Sequence, residues 1–221
     1  MISIRTRSGR TGFFALAVLC LVISASSALA QDQKPAAADK NTDDTNLETN
    51  LETQLYILVG TSQEVTDAKL PAMLDPVIKD LHALLPFKNY RLTGTLINRV
   101  RSGGGISLRW IGGPLLEKAA ATNRTPTFSD FSVAVMKFVE EGGGRGKIRM
   151  QRFRFNSRIP IETTGAVAAN GVAAPVINYE TTGLDTDLSV REGEPVIVGT
   201  LNAGPSGDAI ILVVSARRAT K

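Results

Sequence analysis

From Tyr90 onward every apolar stretch of this chain is short, alternating or β-branched, and glycine closes most of them. Runs of that length and period fit strands and leave little room for further helices. Tyr90, Leu92, Leu96 and Val100 alternate in part, Ser102-Gly-Gly-Gly105 turns the chain, and Ile106, Leu108 and Trp110 lead back, which predicts a hairpin. Phe131–Val139, the glycines 142–144 and Lys147–Phe155 predict a second hairpin. Leu188 and Val190 lead into the turn Arg191–Glu194, followed by strands at Pro195–Val198 and Ala209–Val214. Gly193 is expected to supply a positive φ in that turn, and Gly199 is read as a second structural turn position. Residues 112–127 read as a loop, and the small-residue stretch 164–178 as a loop or a loose edge.

One segment has helical period. Leu70, Met73, Leu74, Val77, Ile78, Leu81, Leu84 and Leu85 fall on one face, Asp75-Pro76 offers a cap and first helical residue, and Pro86 ends it. A strand, Leu55–Val59, precedes it. The expected class is therefore α+β: one N-terminal amphipathic helix packed on a largely antiparallel β-sheet or partial sandwich of about eight strands. Val196–Val198 and Ile210–Val214 are continuous rather than alternating, so these strands are expected to be covered on both faces.

The first 30 residues have the three parts of a secretory signal peptide: Arg5, Arg7 and Arg10, the apolar run Phe13–Ile23, and Ala28-Leu29-Ala30 before Gln31. Residues 31–53 are polar and Ala-rich and read as a disordered linker. Residues 54–221 are expected to form a single β-rich α+β domain. The 25 basic and 21 acidic residues include the three signal arginines, so the exported chain would hold 22 against 21, a balance that does not suggest nucleic-acid binding. Its single cysteine, Cys20, lies in the signal, which removes disulfides and cysteine-based zinc sites. An exported, periplasmic or outer-envelope-associated protein with no transmembrane span after cleavage is the expectation.

Catalytic chemistry has little to stand on. His82, the only histidine, falls on the polar face of the helix with no marked nucleophile or orienting partner. Gly142-Gly-Gly-Arg-Gly-Lys147 lacks the first glycine and the final hydroxyl of a phosphate loop. Glu140 and Glu141 are adjacent on a strand and point to opposite faces. No catalytic, metal or cofactor residue is assigned. The basic run Arg145, Lys147, Arg149, Arg152 and Arg154 carries the one binding hypothesis: with Trp110 it could hold an anionic ligand. Period-2 geometry places Arg152 and Arg154 on one face, and Lys147 and Arg149 on the other with Phe153 and Phe155. The competing reading is an edge strand protected from aggregation by its charge.

Thr186-Asp-Leu-Ser-Val-Arg-Glu-Gly-Glu-Pro-Val-Ile-Val-Gly-Thr-Leu201, followed by a loop and Ala209–Val214, resembles the closing strands of bacterial secretins. Thr200 replaces a glycine of that pattern, Ser215-Ala216 replaces a Thr-Pro pair, and the chain lacks room for pore-forming hairpins. The resemblance therefore implies a secretin-like β-module that packs or assembles in the envelope, not a channel. Together these readings describe a non-catalytic exported module acting in protein interaction or assembly, its partner another envelope protein or itself. The alternative is a periplasmic module binding an anionic ligand or glycan through the basic strand.

Overall fold

A computed structural model describes residues 49–63, 70–113, 115, 125–141, 145–163, 176–203 and 207–219. All lie in one of two compact units, Asn41–Lys221. The signal-peptide and most of the linker expectations, residues 1–48, fall outside the described residues.

The strand β1 (Asn50–Thr61) organises the first sheet. It pairs antiparallel on one edge with β2 (Asn89–Arg101) and on the other with β9 (Asp208–Arg218), and β8 (Val196–Ala203) completes the order β2-β1-β9-β8. The second sheet holds β3 (Ile106–Gly112), β4 (Thr127–Val133), β5 (Val135–Glu141), β6 (Arg145–Thr163) and β7 (Val176–Arg191). The strands β4 and β5 lie in one register along the same edge of β6, interrupted at Ala134, and β7 takes the other edge. Between Thr61 and β2 a 3-10 turn (Ala72–Leu74) runs into one helix, α1 (Asp75–Leu84), with Pro76 in its first turn.

Alternation along β1 and β9 divides their side chains between two cores. Leu55, Ile57, Ile210, Leu212 and Val214 meet Phe131, Met136, Ile148, Phe153 and Phe155 of the second sheet. Tyr56, Leu58, Ile211 and Val213 meet Leu74, Val77 and Leu81 of the helical segment. Each such apolar side chain removed from water contributes about 1.5–3 kcal/mol, and the larger cluster is the one between the sheets.

This overturns the α+β expectation. Among the described residues the chain is mostly β, two antiparallel sheets packed face to face, and its single ten-residue α-helix follows the first strand and flanks one sheet only. The physical reason is the second hydrophobic surface: Phe131, Phe153 and Phe155 of the second sheet are completely buried, and the inner face of the first sheet is what covers them.

Of the two expected hairpins one forms, β5 pairing antiparallel with β6, and the other is a sheet-to-sheet crossing instead. The turn Ser102–Gly105 joins β2 to β3, yet β2 pairs with β1 and β3 with β4. Gly103 N–H donates to Met136 O and Met136 N–H donates to Gly104 O, so the turn is bonded to β5. A side chain at Gly105 would stand 2.5 Å from Ala134 O, which explains the glycine there. Likewise β7 and β8 flank the 192–195 turn but join different sheets. The strand β1 also begins at Asn50, inside the segment read as linker: Leu51 is fully buried and Glu52 and Thr53 nearly so.

Candidate interaction surfaces

The basic run lies on β6, where a bulge decides which way it points. The register of β6 against β7 shifts between Met150 and Phe153, and Arg152 adopts φ 53. Gln151 and Arg152 are consecutive exposed residues, so the alternation changes phase. Ile148 and Met150 before the bulge, and Phe153 and Phe155 after it, all face the core. Lys147, Arg149, Arg154 and Arg158 consequently share the outward face, with Arg152 exposed between them. The expected split of these residues over two faces is thus corrected, because one extra residue restores the phase. Of Arg145 only the backbone is described, opposite Glu141.

Acidic residues are interleaved with this row. Arg154 donates through Nε and Nη2 to Asp185 Oδ2 at 2.9 and 2.5 Å. Lys147 Nζ lies 3.2 Å from Glu141 Oε1. The backbone N–H of Arg152 donates to Asp187 Oδ1 at 2.6 Å. Exposed pairs of this kind contribute about 0–1 kcal/mol each, but they also cancel much of the field an anion would meet.

Trp110 does not join the row. With Ile106 and Leu108 it is on the inner face of β3, and its ring lies 6.3 Å from that of Phe155. Gly193 has φ +79 in the turn between β7 and β8, and its N–H donates to Ala216 O. Gly199, expected at a turn, lies within β8 at a register shift, where a side chain would approach Leu184 Cδ2 to 3.1 Å. His82 is exposed on α1 and packs edge-on against Tyr90 at 4.8 Å. No group of three or more metal-ligating side chains occurs among the described residues, and no described helix is long and apolar enough to cross a membrane.

Two arrangements escaped sequence reading. The first is an apolar corner on the outer face of the second sheet. Ile111 pairs with Phe128, Phe128 with Arg158, and Tyr179 and Ile177 continue the face on β7. Ile111 is 69 % exposed, and Phe128 and Ile177 are each 37 % exposed. The Arg158 guanidinium stands over both rings, 6.0 Å from Phe128 and 5.5 Å from Tyr179, and Tyr179 Oη donates to Pro126 O. The available signal was adjacency: in Trp110-Ile111 and Val176-Ile177 one apolar residue of each pair must face out of a strand.

The second is a clamp on the outer face of the first sheet. Arg99 Nε and Nη2 donate to Glu52 Oε2 at 3.1 and 2.9 Å, and Arg217 Nε and Nη2 to Oε1 at 3.1 and 2.7 Å. These bonds, Arg217 first and then Arg99, hold the Glu52 carboxyl below the usual carboxylate range. Arg218 lowers Glu192 in the same way and ties the 192–195 turn to the end of β9.

No family model and no curated protein matches the sequence. Among solved structures, the chain is similar to the InvG secretin domain β-barrel of the Salmonella SPI-1 injectisome, at 9 % identity and a TM-score of 0.32, over 78 % of this chain and 64 % of that one. It is also similar to a chain of the Klebsiella pneumoniae type II secretion outer membrane complex of PulD, PulS and the PulC HR domain. There the identity is 10 %, the TM-score 0.31, and the coverage 78 % of this chain and 39 % of that one. The chain thus bears a weak secretin-like resemblance and spans less than two thirds of these proteins, at scores too low to equate the architectures.

Proposed function

We propose that this protein is a non-catalytic exported module of the cell envelope whose work is protein interaction or assembly. The observation that supports this reading is the apolar corner Ile111–Phe128–Arg158–Tyr179. Outer sheet faces are ordinarily polar, whereas this one gathers aromatic, aliphatic and arginine side chains, the composition that dominates binding energy at protein interfaces. Arg158 stands over two rings that pack on each other at 5.7 Å, and Tyr179 is anchored by its hydroxyl, so the corner is pre-organised and loses little conformational freedom on contact. The partner is a second copy or another envelope protein.

Size-exclusion chromatography with light scattering, across a concentration series, tests self-association. Pull-down from envelope extract with wild-type and Phe128→Ser/Tyr179→Ser protein tests a foreign partner. The reading requires the double substitution to abolish the association while leaving the melting curve in place; a wild-type protein that stays monomeric and captures nothing the variant does not capture would refute it.

A second reading is an anion or glycan binder, favoured by the bulge that brings Lys147, Arg149, Arg152 and Arg154 to one face. It predicts heparin retention that falls with salt and with charge reversal at Arg149 and Arg152. The interleaved Asp185, Asp187 and Glu141 place it second.

A further inference from the structure

The Glu52 clamp does more than join three strands. Each guanidinium presents its Nε–Nη2 edge to the buried carboxylate, and the side chains of Arg99 and Arg217 remain 68 % and 56 % exposed. Arg101, exposed at the next outward position of β2, has no acidic partner among the described residues. Same-face neighbours along a strand are about 7 Å apart, so three guanidiniums with one carboxylate form a compact surface of net positive charge. Two of the three are fixed by the clamp before any ligand arrives. The helix covers the other half of this sheet face but not this one, and Ile97 beside it is 62 % exposed.

We propose that this surface is the docking site for the chain's own residues 41–48, Asn-Thr-Asp-Asp-Thr-Asn-Leu-Glu. The segment carries Asp43, Asp44 and Glu48 and no base, opposite in sign to the arginine row and similar in magnitude. Its attachment is at the right place. The described chain begins at Thr49, whose carbonyl accepts from Ser102 N–H at 2.8 Å, and Asn50 pairs with Arg101. At up to about 3.3–3.6 Å per residue, Asp43 and Asp44 reach back to Arg99 and Arg217 after one reversal of the chain. A tether this short gives an effective concentration of about millimolar, so modest charge-assisted bonds suffice. Leu47 is the one apolar residue of the segment and Ile97 the exposed apolar residue of the surface.

The test measures the heteronuclear amide NOE of residues 43–48 in the full isotope-labelled chain. Docking predicts values as high as those of the strands. They should fall to those of a free segment in the Arg101→Glu variant, and in about 1 M salt, where the screening length is about 3 Å. Asp43→Asn/Asp44→Asn/Glu48→Gln, which leaves the described fold untouched, should lower them equally. Low values in the wild type, or high values in every variant, overturn the proposal. So do high values that disappear on dilution, which would assign the surface to a second copy.

Discussion

Arg152 shows how much one residue can decide. Its positive φ is the left-handed conformation that a non-glycine residue adopts at a cost of about 1–2 kcal/mol, and the N–H it exposes is taken by Asp187. Removing that acceptor by Asp187→Ala should destabilise the fold by about 1 kcal/mol, and adding Arg152→Gly should recover up to about that amount. Urea melts of the two single variants and the double variant check both values. Neither the bulge nor the clamp was legible in the sequence. A count of alternate positions has no means of registering an inserted residue, and Glu52 lies in a polar stretch whose burial depends on arginines 47 and 165 positions away. Glu52 also sets a pH response. Folding lowers its pKa, so its contribution is complete above the ordinary carboxylate value of 4.5 and is lost as pH falls through the lower folded value. Glu52→Gln should therefore lower the melting temperature at neutral pH, and its gap from the wild type should close on acidification. A gap constant from neutral pH down to about pH 3 would mean the carboxylate is not ionised in the clamp.

At the scale of elements, the central strands make the sharpest claim. Ile211 and Leu212 are neighbours on β9, both fully buried, one facing the helical segment and the other the second sheet. Ile211→Ala and Leu212→Ala should each cost about 2–5 kcal/mol, measured by chemical denaturation. A strand covered on one face only would show one large and one negligible value. The consecutive apolar residues 210–214 made this double cover readable, because no alternation is needed where neither face meets water. Which strands part into which sheet was not readable. Ser102–Gly105 has the composition of a hairpin turn, and only the bonds from Gly103 and Gly104 to Met136 show that its flanking strands part company. The class was misread for the same reason: a second sheet is a long-range decision, and local periodicity contains no record of which strand pairs with which.

For the molecule as a whole, the strand nearest the start of the described chain and the strand nearest its finish lie side by side in the middle of one sheet. The pairing of β1 with β9 joins residues such as Leu51 and Arg218, and no part of the first sheet is complete until β9 arrives. A chain ending at residue 185 should therefore give no cooperative melt and no dispersed amide spectrum. Refolding of the whole chain should be slow, on the order of milliseconds to seconds, as for other folds dominated by distant contacts. The same neighbours have a mechanical consequence. Ala219 N–H donates to Asn50 O, so the two ends of the described fold meet at one corner. Tension applied through residues 49 and 219 would load the β1–β9 ladder at that end, one rung at a time, as a zip is opened, rather than all rungs together. Pulled from those points the fold should yield at low force, whereas pulled between residue 49 and the far end of β9, near Asp208, the same ladder would be sheared as a unit and should hold.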